Sequence, residues 1–463
     1  VAGARTVNAR HGAGTTGRAA PARRVAAEVL AAVRDDDAYA NLLLPARIVA
    51  AGLGPVDAAL ATELTYGTLR MSGRYDRIIA IAAKRDTTQI DPVVLDVLRL
   101  GVHQLLATRI PPHAAVGDTV ALAPRRATGF VNGVLRAVSR ATPEEWDARV
   151  TSGLDGDARL AAEFAHPEWV IDALRRALEA DGRAGELAEL LAADNVAPAV
   201  SLVALPGLAE VAEVGEPGEL SPVAARATGG DPANVVAVAA GRARVQDEGS
   251  QLAALVLSRA RPVVAGERWL DLCAGPGGKA ALLGAEAALG GATLVANELV
   301  PARAGLVRKA LAVLDPAPDV VEGDGVRFAT TEAGGFDRIL LDAPCTGLGA
   351  LRRRPEARWR KQPGDLPGLV ALQERLLDAA IAALAPGGLL AYVTCSPHPE
   401  ETRDQVQAAL ARHPGLVALD TRAVAAQIAT RDLGPGVGPA LQLWPHHHGT
   451  DAMFVQLLSK VDA

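Results

Sequence analysis

The chain has 463 residues, 49% of them apolar, a formal net charge of −6 and three cysteines. That length exceeds one ordinary core, so two or three domains are expected. No run approaches the roughly 20 uninterrupted apolar residues of a bilayer span, and an odd, sparse cysteine set is not a disulfide framework. The charge is uneven: residues 1–150 hold 19 Lys plus Arg against 14 Asp plus Glu, a net of +5, and the remainder carries −11. A basic front third is compatible with a nucleic-acid partner.

Residues 1–20, with Arg5, Arg10, His11 and Arg18 among Gly, Ala and Thr, lack the apolar core of a secretory signal and read as a flexible basic arm. The cytoplasm is the default compartment. From 21 to 145, large apolar residues return every three or four positions, as in VAAEVLAAVR, ALATELTYGTLR and PVVLDVLRLGVHQLLA, which predicts a helical domain. Asp91-Pro92 opens one of its helices with a cap and an N1 proline. Residues 146–240 mix a helical stretch at 167–191 with short apolar runs broken by Gly and Pro, and read as a connector plus a small α/β subdomain.

After residue 241 short apolar runs alternate with helices: RWLDLCAG, TLVANE, DVVEGD, RILLDAPC, a long helix at 369–385, then GLLAYVTCS. Strands buried on both faces and joined through helices predict an open parallel sheet, with its ligand site at the carboxyl ends of the strands. The turn from Cys273 to Lys279 (Cys273, Ala274, Gly275, Pro276, Gly277, Gly278, Lys279) follows a strand and opens a helix, and its glycines let backbone N–H groups approach a ligand. It is neither the GxGxxG of dinucleotide enzymes nor a phosphate loop, since Ala280 follows Lys279. Glu298 closes the second strand at the distance, about 20 residues on, where an acid takes ribose hydroxyls. Asp324 closes the third, placed to accept from an adenine amino group.

Asp342 with Cys345, and Cys395, end the fourth and fifth strands, so two thiols and a carboxylate converge on one sheet edge. Cytosine C5 is a poor nucleophile. A thiolate added at C6 turns the ring into an enamine whose C5 can take a methyl from a sulfonium. The adduct must then lose its C5 proton and expel sulfur, which a second thiol can assist. Asp342 can stabilise charge at N3 if it is protonated or hydrogen-bonded, and Lys279 can lower a thiol pKa. Methylation of an exocyclic amine, which needs no thiol, is the competing chemistry, and a non-catalytic RNA-binding assembly factor is the competing role.

Together DLCAGPGGK, LLDAPCTGLGALRRRPEARW, LAPGGLLAYVTCSPHPEE and GTDAMFVQLL, with ELTYGTLR, LRLGVHQLL, RIPPHAAV and GFVNGVLR upstream, resemble the Sun/Fmu family of ribosomal RNA cytosine-C5 methyltransferases, the small-subunit type with an N-terminal NusB-like domain. The resemblance implies an all-α NusB-like RNA-binding domain at 21–145, the connector subdomain at 146–240 and a Rossmann-like class I methyltransferase domain at 241–463. It implies Cys395 as nucleophile, Cys345 as the group that helps release product, and S-adenosyl-L-methionine held by residues 273–279, Glu298, Arg303, Asp324 and Asp342. Its partner is small-subunit ribosomal RNA, and the chain is read as a monomer without metal. Glu298 departs from the usual aspartate by one methylene, and SLVALPG at 201–207 stands where relatives often carry an arginine and an asparagine.

The run Arg352, Arg353, Arg354, with Arg358 and Lys361, follows the DAPC strand and is expected to hold RNA phosphates. His446, His447 and His448 invite a metal reading, but adjacent side chains are expected to diverge and no acidic partner is evident. His398 is close enough in sequence to Cys395 to be considered as a base, though its prolines suggest a loop residue.

Overall fold

The computed structural model describes residues 20–36 and 38–461; the expected basic arm, apart from Ala20, lies outside the described residues. The chain divides into two compact units, one ending at Gly153 and the other beginning at Leu154. The first is helical throughout its described length, from Pro21–Asp35 to Pro143–Thr151. Asp91 caps Pro92–Ala107 by accepting from Val93 N at 3.0 Å, and Thr142 and Glu145 close a reciprocal capping box on the last helix. The apolar stripes bury Val25, Val29, Leu64 and Leu100 in one cluster and Ile78, Leu98, Val131 and Leu135 in another. Gly67 lets Pro55–Arg70 pass close to Pro92–Ala107, since a Cβ there would lie 2.1 Å from the His103 ring.

The second unit starts with helices Gly156–Phe164, Glu168–Ala180 and Leu187–Ala193. The helical stretch expected at 167–191 is interrupted at Asp181-Gly182, where Gly182 takes φ +73°, a conformation that ends a helix at little cost only for glycine. A small antiparallel sheet follows, with β1 (Ser201–Ala204), β2 (Glu216–Pro217), β3 (Ala224–Arg226) and β4 (Ala243–Val245) in the order β2-β3-β1-β4.

The large sheet contains β5 (Arg268–Leu272), β6 (Thr293–Glu298), β7 (Asp319–Glu322), β8 (Phe336–Asp342), β9 (Leu384–Thr394), β10 (Leu416–Ala418), β11 (Leu441–Gln442) and β12 (Phe454–Lys460). Its order is β10-β12-β9-β8-β5-β6-β7, with β11 paired to β12. From β9 to β7 the strands are parallel, as expected. The sheet as a whole is mixed, because β12 inserts antiparallel beside β9 and β10 follows it. Helices Glu248–Arg259 and Gly278–Leu289 bury Leu252, Val256 and Leu283 in one cluster with strand residues such as Trp269 and Val393. Leu366–Ala383 buries Leu376, Leu377 and Ile381 with Leu270, Ile339 and Leu341. Successive strand residues thus face two different apolar layers, which is why the strands read as continuous apolar runs.

A guanidinium is buried against the amino-terminal side of this sheet's core. Arg338, on β8 and fully buried, donates to Glu267 Oε2 at 2.9 Å and to the carbonyls of Leu257, Ser258, Arg261 and Pro262, and lies over the Trp269 ring. It closes the end of helix Glu248–Arg259 against the sheet. Arg338→Ala leaves Glu267 buried without its main partner and is expected to cost about 3–5 kcal/mol. Urea unfolding checks this, and a loss under about 1 kcal/mol would show that the arginine is not the strut described.

Candidate active site at the carboxyl edge of the large sheet

Strand β8 ends at Asp342 and β9 at Thr394, so Cys345 lies three residues beyond one strand and Cys395 one residue beyond its neighbour. The parallel register places Asp342 opposite Val393, and Ala343 N donates to Val393 O at 2.9 Å. The two sulfurs lie 3.5 Å apart, each partly buried. Gly349 N donates to Cys395 O at 2.9 Å, and Ala452 N to Gly349 O at 2.8 Å. A Cβ on Gly349 would lie 2.2 Å from Ala452 O and 2.8 Å from Cys395 O; only glycine lets these three segments close on one another.

The two thiols are unlike. The hydrogen bond from Cys345 holds the Cys395 thiol below its ordinary pKa against the opposing effects of burial and Asp342, helped by Arg354 and Lys279. Cys345 is pushed well up, first by that same pairing, then by burial and by the charges of Glu401 and Asp342. Lys279 Nζ meets Asp342 Oδ2 at 2.8 Å; burial disfavours the ammonium, but Asp342 prevails and its pKa rises. Asp342 therefore meets the hydrogen-bonded condition set for an acid near N3.

The glycine turn leaves β5 through Cys273, which adopts φ +77°, a left-handed conformation uncommon outside glycine and Asn. Cys273 N and Ala274 N both donate to Asn297 O, at 3.1 and 2.8 Å, and burial pushes the Cys273 thiol up. Glu298, at the end of β6 and nearly buried, accepts from Gly275 N at 2.9 Å and Val300 N at 3.0 Å. Arg303 donates to Gly275 O at 2.6 Å and stands 3.5 Å from Glu298. Gly277 has φ +103° at the head of helix Gly278–Leu289. Asp324 is two residues past β7 instead of ending it; it is exposed and caps Gly325–Thr331 through Val326 N and Arg327 N.

The arginine run needs a larger correction. Arg358 is fully buried, donating to Ala165 O, Asn195 Oδ1 and Asp194 O. Arg353 bridges Asp247 and Asp451, and the nearly buried Arg352 donates to Gly449 O at 3.1 Å. These three stitch the loop after Cys345 to other segments, because burial leaves a guanidinium stable only where carboxylates and carbonyls satisfy it. Of the five expected phosphate ligands, Arg354 is exposed and Lys361 partly so.

The histidines also differ from expectation. His446 and His447 converge, with ring centroids 4.3 Å apart, and an acidic partner does exist: Glu186 Oε2 lies 2.9 and 2.7 Å from their Nε2 atoms. Arg183 joins the same group, 2.8 Å from His447 Nε2 and 3.2 Å from Glu186 Oε1, so a guanidinium already supplies positive charge there. His448 is turned inward, with Nδ1 accepting from Trp444 N. His398 is buried; its Nδ1 accepts from Glu400 N in the following turn, and burial lowers its pKa.

Two residues of this edge carry no motif label that singles them out. Asp271, in the glycine-turn motif, is fully buried, and among the described residues neither carboxylate oxygen has a hydrogen-bond partner. Burial, reinforced by Asp342 and Glu298, raises its pKa to about 8 although Lys279 opposes this. Glu401, fully buried, accepts from Thr346 N at 2.8 Å and Gln373 Nε2 at 3.0 Å. An acid at a core-facing strand position is a readable signal for Asp271. Nothing in PEE distinguishes Glu401 from its exposed-side neighbour Glu400.

An orphan buried carboxylate beside a glycine turn fits a ligand bearing an ammonium or a sulfonium, both of which S-adenosylmethionine has. Without a ligand, Asp271 holds its proton more tightly folded than unfolded, so its contribution to stability is fullest below about pH 4 and declines as pH rises toward 8. Asp271→Asn is expected to flatten the fall in the thermal midpoint of the ligand-free protein over that range. Parallel slopes in variant and wild type would exclude Asp271 as the source.

The description 16S rRNA methyltransferase RsmB/F matches residues 261–459, and the NusB family matches residues 20–140. A putative methyltransferase of Mycobacterium tuberculosis H37Rv is 48% identical over 95% of this chain and 97% of its own length. The ribosomal RNA small subunit methyltransferase B of Pseudomonas putida is 35% identical over 86% and 91%. In fold, the crystal structure of PH0851 aligns with 96% of this chain and 100% of its own at a TM-score of 0.76 and 21% identity. With the NusB and methyltransferase parts both matched and relatives aligned nearly end to end, the chain belongs to the RsmB/F family of 16S rRNA methyltransferases, enzymes dependent on S-adenosylmethionine.

Proposed function

We propose that the chain methylates C5 of a cytosine in small-subunit ribosomal RNA through a covalent bond between Cys395 Sγ and C6 of the base. The observation that carries this reading is the pair of sulfurs 3.5 Å apart at the ends of neighbouring parallel strands, with cations toward Cys395 and carboxylates toward Cys345. Methylation of an exocyclic amine has no use for a thiolate beside a thiol.

Bound S-adenosylmethionine supplies an electrophilic methyl group on a sulfonium. The residues that would hold it are the turn 273–279, with Asp271 and Asp342 toward its cationic end and Glu298, Arg303 and Asp324 toward the nucleoside. The Glu298 oxygens keep lone pairs beyond those taken by Gly275 and Val300. Cys395 attacks as thiolate, and N3 takes up a proton beside the Lys279–Asp342 pair. Once the Cys395 sulfur is bonded to carbon its charge is gone, the Cys345 thiol becomes more acidic, and the proton N3 requires can come from it. Cys345 is then the base for the C5 proton. Expulsion of the Cys395 thiolate, with loss of the N3 proton to solvent, restores the pair, and one proton is released per turnover. Arg354 and Lys361 are assigned to phosphates, and the N-terminal helical unit to RNA; the chain acts as a cytoplasmic monomer in this reading.

Cys395→Ala is expected to lower transfer of labelled methyl to unmodified 16S ribosomal RNA by at least about 10³-fold, the scale of losing a nucleophile. Full activity would refute its role. Cys345→Ala is expected instead to accumulate a denaturant-stable protein–RNA adduct, seen as a shifted band. Mass spectrometry of the product nucleosides separates the alternatives: methyl on N4 instead of C5 overturns the proposal.

A further inference from the structure

The two sulfurs belong to loops that end neighbouring strands, and a buried carboxylate joins those loops. Glu401 accepts from Thr346 N, on the residue after Cys345, and from Thr346 Oγ1 at 2.5 Å. Thr346 Oγ1 in turn lies 3.0 Å from Ser396 Oγ, on the residue after Cys395. Gln373 Nε2, from helix Leu366–Ala383, donates both to Glu401 Oε1 and to Pro344 O at 2.8 Å, just before Cys345. Tyr392 OH, from β9, donates to Glu401 O at 2.8 Å. Glu401, Thr346, Ser396 and Gln373 are all at most 2% exposed. Loop geometry alone does not require an acid here. Gln373 shows that amides are available, and a buried carboxylate is costly unless its charge is used or fully satisfied.

We propose that Glu401 is a positioning residue that makes the thiol pair asymmetric: its backbone and side-chain bonds fix Cys345 beside Cys395, and its charge, on the Cys345 side of the pair, keeps the proton on Cys345 so that Cys395 is the thiolate. The charged and titratable groups facing the pair agree with this arrangement. Cys345 faces Cys395, Glu401 and Asp342, whereas Cys395 faces Cys345 and Asp342 but also Arg354 and Lys279. Tyr392, whose pKa is pushed well up by burial, Cys345 and Glu401, stays neutral as a donor, and His398, also near Glu401, is held neutral by burial. The negative charge on Glu401 is thus placed against ionisation of one sulfur, and the cations against protonation of the other. The inference rests on the two-thiol reading above, but its test needs no RNA, so failure of cytosine chemistry and failure of the asymmetry are separate outcomes.

Iodoacetamide labelling of the full chain across a pH series, with mass spectrometry assigning each site, reads the asymmetry directly. In wild type Cys395 is expected to label first, at a pH below that of Cys345. Glu401→Gln is isosteric and removes the charge; at pH 8 it is expected to raise Cys345 labelling by at least about tenfold, a shift of about one pH unit in its profile. Glu401→Asp keeps the charge on a shorter side chain and is expected to restore the late Cys345 profile while kcat for methyl transfer stays low and KM for RNA changes little. Cys345 labelling in a folded Glu401→Gln within twofold of wild type overturns the proposal, as does Glu401→Asp behaving like Glu401→Gln. Should Glu401→Gln fail to fold, Cys395→Ser removes the partner thiol and leaves Glu401 and Asp342 as the charges facing Cys345. Its Cys345 labelling midpoint is then expected above the ordinary thiol value of about 8.5, and a midpoint at or below that value overturns the proposal.

Discussion

One register holds the site together: Asp342 opposite Val393 across β8 and β9. In a parallel pair the strand ends finish side by side, so whatever follows each strand is delivered to the same edge whatever the distance along the chain. That constraint sets Cys345 beside Cys395, 50 residues apart in sequence, and puts Asp342 within reach of Lys279 on the helix after β5. A slip of one residue in β9 would turn its apolar residues to opposite layers and separate the sulfurs. The burial of β9 from Leu389 to Thr394 therefore protects the chemistry as well as the core. Antiparallel β12, pairing Phe454 with Thr394, locks the same strand from its other side.

What could be read from residues alone follows from this. RWLDL, TLVANE, FDRILLD and GLLAYVT are apolar because both faces of each strand are covered, whereas DVVE at the sheet edge is only partly buried, and such runs are visible locally. The antiparallel insertion of β12 is not legible, because its pairing with β9 depends on a partner about 60 residues away and leaves no period of its own. In the sequence Asp324 has the look of a strand end, but the strand stops at Glu322 and the acid caps the next helix. A strand-end acid and an N-cap acid look alike in VVEGDG. The histidine cluster and Glu401 were opaque for the same reason: Glu186 lies some 260 residues from His447, and only the fold shows which glutamate of a pair turns inward.

The arginines after Cys345 show how far charge patterning can mislead. A run of three with two more cations looks like a phosphate surface, yet Arg352, Arg353 and Arg358 are taken up by carbonyls, Asn195, Asp247 and Asp451. They share a function with Arg338 on β8: each ties loops that have no regular pairing to an element that has. A buried guanidinium with several fixed acceptors is more specific than apolar packing, because no other position offers the same acceptors. The cost of desolvation is the reason such residues are placed where a loop must not move. The loop that carries Cys345 is such a place, since a shift of about 1 Å there changes the distance on which the thiol pair depends.

Acids outnumber cations at this edge. Asp271, Glu298, Asp342 and Glu401 face Lys279, Arg303 and Arg354, and Asp271, the carboxylate of these four without a hydrogen-bond partner among the described residues, is the one driven toward its neutral form. An excess of negative charge would ordinarily suppress a thiolate, because every neighbouring carboxylate raises the cost of ionising sulfur. The arrangement escapes that penalty by distribution. Glu298 is tied to backbone N–H groups and Arg303, Asp342 to Lys279, and Glu401 to Thr346 and Gln373. Asp271 can surrender its charge until a cationic ligand arrives. Cys395 is then the sulfur with cations and a thiol donor as its nearer company. In the proposed reaction a donor bearing a sulfonium would add positive charge to the same edge, which would favour ionisation of both Asp271 and Cys395, the proposed nucleophile, and so couple occupancy of the donor site to its activation through the field they share.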